Sequence, residues 1–495
     1  MLKKLENNKG ITLIALIITI IVLLILAGVT LNTLFGNDSI IAKAREAADA
    51  YKNSEKEEQK IFNNINKYIN GEEIVEEEEE LVETNPNFFT YSDPDQNDEV
   101  LITGFTKEAG GGEEAYTNNE ETVLKLVIPK QNKAGKNIKG IGDKAFRNRT
   151  KLTKLVLQDN IIQLGTSAFS ECTGITNLTL PITINEFKYV FNGCTAISKV
   201  KLIKGKDGNT EGAEFSIVSS YANYYAYTPW YISKSENIDI EIEAGITKIG
   251  SFMFDDCTNL KKIIFPDSIT NVGANAFKSC NNAQISASKI KNLTSIGESA
   301  FEKCTGIIGK IEINSQITEM GTKWFRGCTG ITEVVIPGSV TGFQNSSSCF
   351  TGCTGITNIT VPATMCNYGN SFSNCKNISK VKLTKGKDGN TESGDFGIVS
   401  SYPNYYIYTP WYISETEELD IEIEDGITKI GDYMFNQCTN LKKMVFPRSI
   451  TQIGNNAFKG LKNTNYYYRG SSEEWDQVTG KENIIIPEGN FNYRD

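Results

Sequence analysis

A pattern that recurs along the chain restricts the fold more than any other feature of this sequence. It reads Ile-Gly, three residues, Phe, two residues, Cys, two residues, Leu or Ile, two residues, an apolar residue, one residue, an apolar residue and often Pro. The pattern is complete from Ile249 to Pro266 and from Ile430 to Pro447. Other good or partial copies begin at Ile141, Leu164, Val272, Ile296, Met320 and Ile453. Consecutive copies lie about 22 to 25 residues apart, a period that indicates stacked structural repeats.

Each copy joins a strand-like part to a turn-like part. The pair Leu178 and Leu180 alternates with polar residues as in a strand with one buried face, and Pro181 then ends the ladder. The Ala-Phe-x-x-Cys part supplies a short turn or helix. Neither part buries its apolar side alone, so the copies must stack, with a parallel sheet on one face. We predict a repeat solenoid of leucine-rich repeats, one short parallel strand and one short helix or turn per coil, preceded by a long N-terminal helix.

The wording Ile-Gly-x-x-x-Phe-x-x-Cys-x-x-Leu resembles the BspA-like leucine-rich repeats found on the surfaces of bacteria and some protists. The resemblance covers residues 124–470, and it implies a cell-surface protein for adhesion or ligand binding. Residues 85–123, with Asn87 to Tyr91 and Val100 to Gly104, look like the β-rich cap that precedes such arrays. Residues 471–495 look like the closing cap, in which Ser471 and Glu474 have the spacing of a capping box.

Nine of the 11 cysteines occupy the same slot of the repeat. These are Cys172, Cys194, Cys257, Cys280, Cys304, Cys328, Cys353, Cys375 and Cys438. Only Cys349 and Cys366 lie elsewhere. A row of equivalent positions favours a spine of buried free thiols, although an extracellular location leaves disulfides as an alternative. Zinc-type Cys clusters are missing, so we expect no metal and no cofactor.

Two segments, 197–277 and 378–458, repeat almost word for word. Each contains an insert of roughly 40 residues, at about 204–243 and 385–424, and each insert holds a Lys-Gly-Lys-Asp-Gly-Asn-Thr-Glu turn. Six coil steps between the inserts would place equivalent points roughly 30 Å apart at about 4.8 Å per strand. Two like sites on one scaffold are suited to a repetitive ligand bound with avidity.

Each insert also carries a cluster of aromatic residues. The candidate ligand-binding aromatics are Tyr221, Tyr224, Tyr225, Tyr227, Trp230 and Tyr231 in the first insert, and Tyr402, Tyr405, Tyr406, Tyr408, Trp411 and Tyr412 in the second. Aromatic rings supply rigid contact area for a protein or stack on sugar rings. The alternative is that the tryptophans and some tyrosines pack the insert onto the coils.

The amino terminus predicts a membrane anchor. Residues 11–31 are uncharged and apolar, and about 31 Å of helix spans a bilayer. Lysines on the amino side keep that end in the cytoplasm and place the repeats outside. The sequence around Gly10 and Ile11 resembles a type IV prepilin leader, which implies cleavage after Gly10 and a new terminus at Ile11. Ala15 stands where that family usually has Glu, which weakens the case for filament assembly. An uncut anchor is the alternative.

The remaining N-terminal segments follow from pattern and charge. We assign residues 1–10 to the leader and 11–36 to the transmembrane helix. Apolar residues at helical spacing predict an amphipathic stalk over 37–70. The Glu-rich run in 71–84 predicts an extended acidic linker.

Composition limits the function. The net charge of −10 argues against a nucleic-acid partner, and the complete lack of His removes the usual general base and imidazole ligands. We therefore expect no catalytic residues and a non-enzymatic protein. The expected partners are the membrane, through the N-terminal helix, and a host or neighbouring-cell protein or glycan. A minor or tip pilin among other pilin-like subunits is the second hypothesis, and a carboxylate-based glycan-active enzyme is the third.

Overall fold

The computed structural model describes residues 83–106, 124–213, 228–344, 347–393, 409–486 and 489–493. They belong to a unit that runs from Val82 to Asp495. The leader with Gly10 and Ile11, the transmembrane helix, the stalk and most of the acidic linker lie outside the described residues, so these assignments stay predictions. Among the described residues, no helix is long and apolar enough to cross a bilayer.

The described chain is made mostly of short strands. In chain order they are β1 (Phe89–Tyr91), β2 (Val100–Phe105), β3 (Leu124–Val127), β4 (Ile138–Ile141), β5 (Leu152–Val156), β6 (Gln163–Leu164), β7 (Asn177–Pro181), β8 (Lys199–Ile203), β9 (Ile238–Ile242), β10 (Lys248–Ile249), β11 (Leu260–Ile264), β12 (Asn271–Val272), β13 (Ser295–Ile296), β14 (Gly309–Glu312), β15 (Glu319–Met320), β16 (Ile331–Val335), β17 (Gly342–Phe343), β18 (Asn358–Pro362), β19 (Lys380–Thr384), β20 (Leu419–Ile423), β21 (Lys429–Ile430), β22 (Leu441–Phe446), β23 (Gln452–Ile453), β24 (Asn465–Tyr468) and β25 (Phe491–Tyr493). Helices are short: α1 (Pro229–Ile232), α2 (Pro410–Ile413) and α3 (Ser472–Asp476), with 3-10 turns at Pro86–Phe88, Lys206–Gly208, Ala287–Asn292, Lys387–Gly389 and Lys481–Asn483.

The longer strands stack in parallel as one face of the solenoid, which we call the broad face. A six-stranded sheet has the order β3-β5-β7-β8-β9-β11, and an eight-stranded sheet has the order β14-β16-β18-β19-β20-β22-β24-β25. Each strand is thus hydrogen-bonded to the strand of the next coil, as expected when identical units stack. The predicted leucine-rich-repeat solenoid is confirmed for the described part of the chain.

Two-residue strands form the second ladder of the solenoid. They pair in parallel as β10-β12-β13, β15-β17 and β21-β23. At the amino end, where the sequence predicts a β-rich cap, β1 and β2 form an antiparallel pair and β2 continues in parallel with β4. At the carboxyl end, Ser471 and Glu474 form the predicted capping box of α3.

Between the two ladders, aromatic rings stack from coil to coil. The phenylalanine of the repeat lies flat against its neighbours, with ring centroids 5.6 Å apart for Phe277 and Phe301 and 5.5 Å for Phe301 and Phe325. The repeat cysteines form a second buried row beside them. Both rows belong to one continuous apolar core that runs from coil to coil, as is typical of solenoid proteins.

The ladder of the broad face is interrupted once, between β11 and β14. Here Gln284 makes a single parallel bridge to Lys262, and the 3-10 turn Ala287–Asn292 takes the place of a strand. Ile290 of this turn is fully buried. The coil therefore still contributes to the core, although it adds no strand to the sheet.

The described parts of each insert form a coil of the solenoid. The strand β8 before the first insert pairs directly with β9 at the end of the insert, and Glu211 adds a parallel bridge to Lys248 in the second ladder. Counting the coil of Ala287–Asn292, seven steps separate β8 from β19, not the six expected from sequence. The corresponding distance along the stack is about 34 Å at about 4.8 Å per step.

Candidate ligand-binding surfaces

The two tryptophans of the aromatic clusters lie in the core. Trp230 is 2% exposed and Trp411 is 1% exposed. The Trp230 indole Nε1 donates to the carbonyl of Met253 at 2.7 Å, and the Trp411 Nε1 donates to the carbonyl of Met434 at 2.8 Å. Such buried, hydrogen-bonded indoles cannot touch a ligand without unfolding the coil. The packing alternative therefore describes both tryptophans.

Each tryptophan takes the place of a repeat phenylalanine. The Trp230 ring lies 5.1 Å from Phe254 of the next coil, and the Trp411 ring lies 5.5 Å from Phe435. Three residues later, Ser233 Oγ donates to the carbonyl of Ile197 at 2.6 Å, in the slot that Cys fills elsewhere. The sequence Pro-Trp-Tyr-Ile-Ser is thus a variant of the Phe-x-x-Cys turn.

Tyr231 and Tyr412, the residues that follow the tryptophans, point outward. They are 42% and 39% exposed and stand at equivalent places of the two insert coils. Tyr221, Tyr224, Tyr225, Tyr227, Tyr402, Tyr405, Tyr406 and Tyr408 lie outside the described residues. The ligand-binding role of these ten tyrosines stays a prediction.

The cysteine spine is free and buried, as predicted. All 11 thiols are unbridged, and Cys366 alone is exposed. The repeat thiols donate to the backbone of the preceding coil, for example Cys280 Sγ to the carbonyl of Phe254 at 2.9 Å and Cys328 Sγ to that of Phe301 at 3.0 Å. Burial raises the pKa of the Cys375 thiol to about 12. A buried thiol with a raised pKa, such as that of Cys375, is a poor nucleophile.

One buried carboxyl stands out on the turn side of the coils. Asp255 follows the repeat phenylalanine, and its Oδ1 has no hydrogen-bond partner. Burial, followed by the nearby Asp256 carboxylate, raises the pKa of Asp255 to about 6. At the same place two coils on, Glu302 is buried and contacts Arg326 Nη1 at 3.3 Å. No group of three or more potential metal ligands occurs in the described ranges.

The broad face presents rows of polar side chains, one per strand. Because side chains alternate along a strand, Val200 and Leu202 of β8 point into the core while Lys199 and Lys201 point outward. Across the sheet, Lys199 lies opposite Asp239 of β9, which in turn lies opposite Lys262 of β11. Lys199, Asp239 and Lys262 of this outward surface are exposed to solvent.

The repeat pattern predicts a broad curved face for ligand capture, but sequence reasoning assigned no individual residue to it. A usable signal was present in the duplication. Once strand alternation assigns an inward and an outward side, the two copies can be compared side by side, and Lys199, Asp239 and Lys262 recur as Lys380, Asp420 and Lys443.

Comparison with known proteins agrees with this architecture. Residues 119–214, 230–348, 346–404 and 412–479 match the BspA type leucine rich repeat region, in six copies. The chain belongs to this family. Membership of this BspA-type family supports a role in protein binding or adhesion in general. No curated protein matches the chain.

Several solved structures are similar to the chain at low identity and with low TM-scores. A protein from Bacteroides ovatus is 18% identical, with a TM-score of 0.37 over 84% of this chain and 100% of that one. A leucine rich cell surface protein from Faecalibacterium prausnitzii is 19% identical, with a TM-score of 0.29 over 81% of this chain and 98% of that one. The pneumococcal vaccine antigen PcpA is 12% identical, with a TM-score of 0.23 over 70% of this chain and 93% of that one. None of these similarities identifies a ligand.

Proposed function

We propose that this BspA-type protein is held at the bacterial cell surface by its N-terminal apolar segment and captures a ligand with its solenoid. In this proposal the N-terminus is cytoplasmic, the repeats are extracellular, and the chain catalyses no reaction. The ligand is a protein or glycan of the host or of a neighbouring cell.

The observation that carries the proposal is the broad face. Fourteen described strands present outward side chains in rows, six strands in the sheet before the interruption at Gln284 and eight in the sheet after it. Such a surface suits the capture of an extended ligand, since contact is spread over many coils. The exposed Tyr231 and Tyr412 add two equivalent contact points beside the coils.

Protease treatment of intact cells tests the location. We expect an external protease to remove the repeats from whole cells, and N-terminal sequencing of the mature protein to begin at Ile11. Full protection in intact cells, with digestion only after lysis, would rule out surface display. A first residue of Met1 would leave display possible but would refute the prepilin-type cleavage.

Binding is tested separately with the purified full chain. It is screened against extracellular matrix proteins and polysaccharides. We expect saturable binding that an excess of unrelated surface proteins does not displace. If the protein instead copurifies with filaments and binds none of these, the second hypothesis of a minor or tip pilin is favoured.

A further inference from the structure

The internal duplication places two closely similar turns in one chain. Residues 252–257, which we call the acidic turn, follow the first insert coil, and residues 433–438, which we call the amide turn, follow the second. Both contain the repeat phenylalanine and end at a repeat cysteine. Three positions differ: Phe252 is replaced by Tyr433, Asp255 by Asn436 and Asp256 by Gln437. The acidic turn thus carries two carboxylates where the amide turn carries two amides.

The backbone of the two turns is bonded to the next coil in the same way. In the acidic turn, three N–H groups donate to the following coil: Phe252 to Ala274 at 2.9 Å, Phe254 to Ala276 at 2.8 Å and Asp256 to Lys278 at 2.8 Å. The three matching bonds of the amide turn are Tyr433 to Asn455 at 3.0 Å, Phe435 to Ala457 at 2.8 Å and Gln437 to Lys459 at 2.8 Å. The difference between the turns therefore lies in their side chains.

Asp255 and Asn436 occupy the same buried place. Asp255 is 3% exposed and Asn436 is 8% exposed, and the Oδ1 atom of each has no hydrogen-bond partner. Burial of a polar group without a partner is costly, and burial of an unpaired charge costs far more. The site accepts a neutral amide at any pH, whereas it favours Asp255 only in its protonated form.

The charged groups around Asp255 include both signs. Asp256 is its exposed neighbour on the same turn, Lys278 fills the same slot of the next coil, and Glu302 fills it two coils on. Glu302 contacts Arg326 Nη1 at 3.3 Å. Burial, followed by the Asp256 carboxylate, raises the pKa of Asp255 to about 6, and the Lys278 amine acts in the opposite direction.

The other neighbours of Asp255 add no charge. The same slot of the preceding insert coil holds the uncharged Tyr231. The thiols of Cys257 and Cys280 are buried, and burial raises their pKa, so both stay neutral in acid and at neutral pH. Within residues 252–257, Asp255 is therefore the buried group whose charge changes between acid and neutral pH.

The acidic turn also supports the first insert coil. The Trp230 Nε1 donates to the carbonyl of Met253 at 2.7 Å, and Asn259 Nδ2 donates to the carbonyl of Ser233 at 3.2 Å. Opening of the turn would take away the acceptor of the indole. A change in the order of the acidic turn is thus passed to the first insert coil.

We propose that the acidic turn is a pH-sensitive element, closed while Asp255 is protonated and open more often once Asp255 is ionised, and that the amide turn does not share this response. In the open turn Asp255 is in water and has its ordinary pKa of 3.8. Because its pKa is higher in the closed turn, the closed turn loses stability as the pH rises from about 4 to about 6 and changes little above that range. The device does not depend on the identity of the captured ligand.

Hydrogen exchange of the full chain in non-ionic detergent tests the proposal. Rates at pH 4, 5 and 7 are divided by those of an unstructured peptide at the same pH, which gives protection factors. Between pH 4 and pH 7 we expect the protection of the Phe254 and Asp256 amides to fall by about 5- to 30-fold. Protection of the Phe435 and Gln437 amides should not fall over the same range.

The two turns also supply reciprocal variants. Asp255→Asn should abolish the fall in the acidic turn, and Asn436→Asp should create one in the amide turn. Asp256→Gln is the matched control: it removes an exposed carboxylate and should keep most of the fall, since burial of Asp255 is the larger cause. Asp432, just before the amide turn, accepts from the Asn455 N–H at 2.7 Å, so its protonation in acid would lower protection there, with the opposite sign.

Three results would overturn the proposal: protection of the acidic turn that does not fall between pH 4 and pH 7, a fall that persists in Asp255→Asn, or an equal fall in both turns of the wild type. An Asn436→Asp variant whose amide turn shows no fall would also contradict it. None of these results bears on surface capture, because display is measured on cells and binding with ligands.

Discussion

Replacement of Trp230 by Ala separates a structural role from a ligand-contacting one. The side chain is buried between neighbouring coils, with ring centroids 6.1 Å from Phe187 and 5.1 Å from Phe254. Truncation of a buried Trp to Ala costs about 3–5 kcal/mol. The carbonyl of Met253 also loses its donor, which adds about 1–3 kcal/mol if it stays buried. We expect a total loss of roughly 4–8 kcal/mol from these combined terms.

Trp230→Phe is the matched variant, because Phe occupies this slot in most other coils. It keeps the ring stack and loses mainly the indole hydrogen bond, so we expect a cost of about 1–2 kcal/mol. In a solenoid the damage should be concentrated in the altered coil and its neighbours, since each repeat contacts only the next ones.

Urea unfolding followed by circular dichroism measures the stability difference between the two variants. Hydrogen exchange then locates the damage, which should centre on the amides of β8, β9 and β11. The reasoning is refuted if the Ala and Phe variants unfold at the same urea concentration, or if exchange in those three strands is unchanged. Weaker ligand binding with an intact coil would restore the contact role of the tryptophan.

Three further predictions concern single side chains. Alkylation of the native protein should label Cys366 first and leave the ten buried thiols unlabelled until denaturant is added; labelling that requires a reductant would instead reveal disulfides. Ser233→Ala should lower the free energy of unfolding in urea by about 1–3 kcal/mol, because the buried carbonyl of Ile197 loses its donor. Ser233→Cys should lower it less, since Cys fills this slot in other coils. Equal losses would contradict the assignment of Ser233 to the cysteine slot. Asp255→Asn should stabilise the fold by about 1–2 kcal/mol at pH 7 and not at all below about pH 4. The Asp255 carboxyl has a pKa of about 6 in the folded chain and 3.8 in the unfolded chain, so the folded wild-type protein loses stability as the pH rises above 3.8. A difference in melting temperature that does not change with pH would refute this.

The solenoid and its cysteine spine could be read from the sequence because both are properties of the repeat. A period of 22 to 25 residues, roughly, leaves few alternatives to stacked coils. Within each coil, alternation at Leu178 and Leu180 already assigns the buried side of the strand. Equivalent Cys positions must then form a row, since stacking places the same slot of each coil at the same depth.

The role of the inserts could not be read in this way. Trp230 replaces a Phe and Ser233 replaces a Cys, so a search by residue type finds a gap where the structure has a coil. Physically the replacements are close: an indole fills the ring stack, and a hydroxyl donates to a backbone carbonyl of the preceding coil as a thiol does, although to Ile197 and not to the repeat phenylalanine. The sequence therefore suggested a binding site that included the two tryptophans, although both are buried in the core.

Two kinds of contact hold the coils between the inserts at a fixed spacing. The ladder of the broad face is broken at Gln284, but the second ladder continues there from β12 to β13, and the Phe277 N–H donates to the carbonyl of Ala300 at 2.8 Å. The phenylalanine stack crosses the break: Phe277 and Phe301 are nearly parallel at 4°, and Phe301 and Phe325 at 1°. Close-packed rings resist sliding and tilting, since either motion opens a void. The buried phenylalanines therefore act together with the backbone hydrogen bonds of the second ladder to fix the separation of the two insert coils.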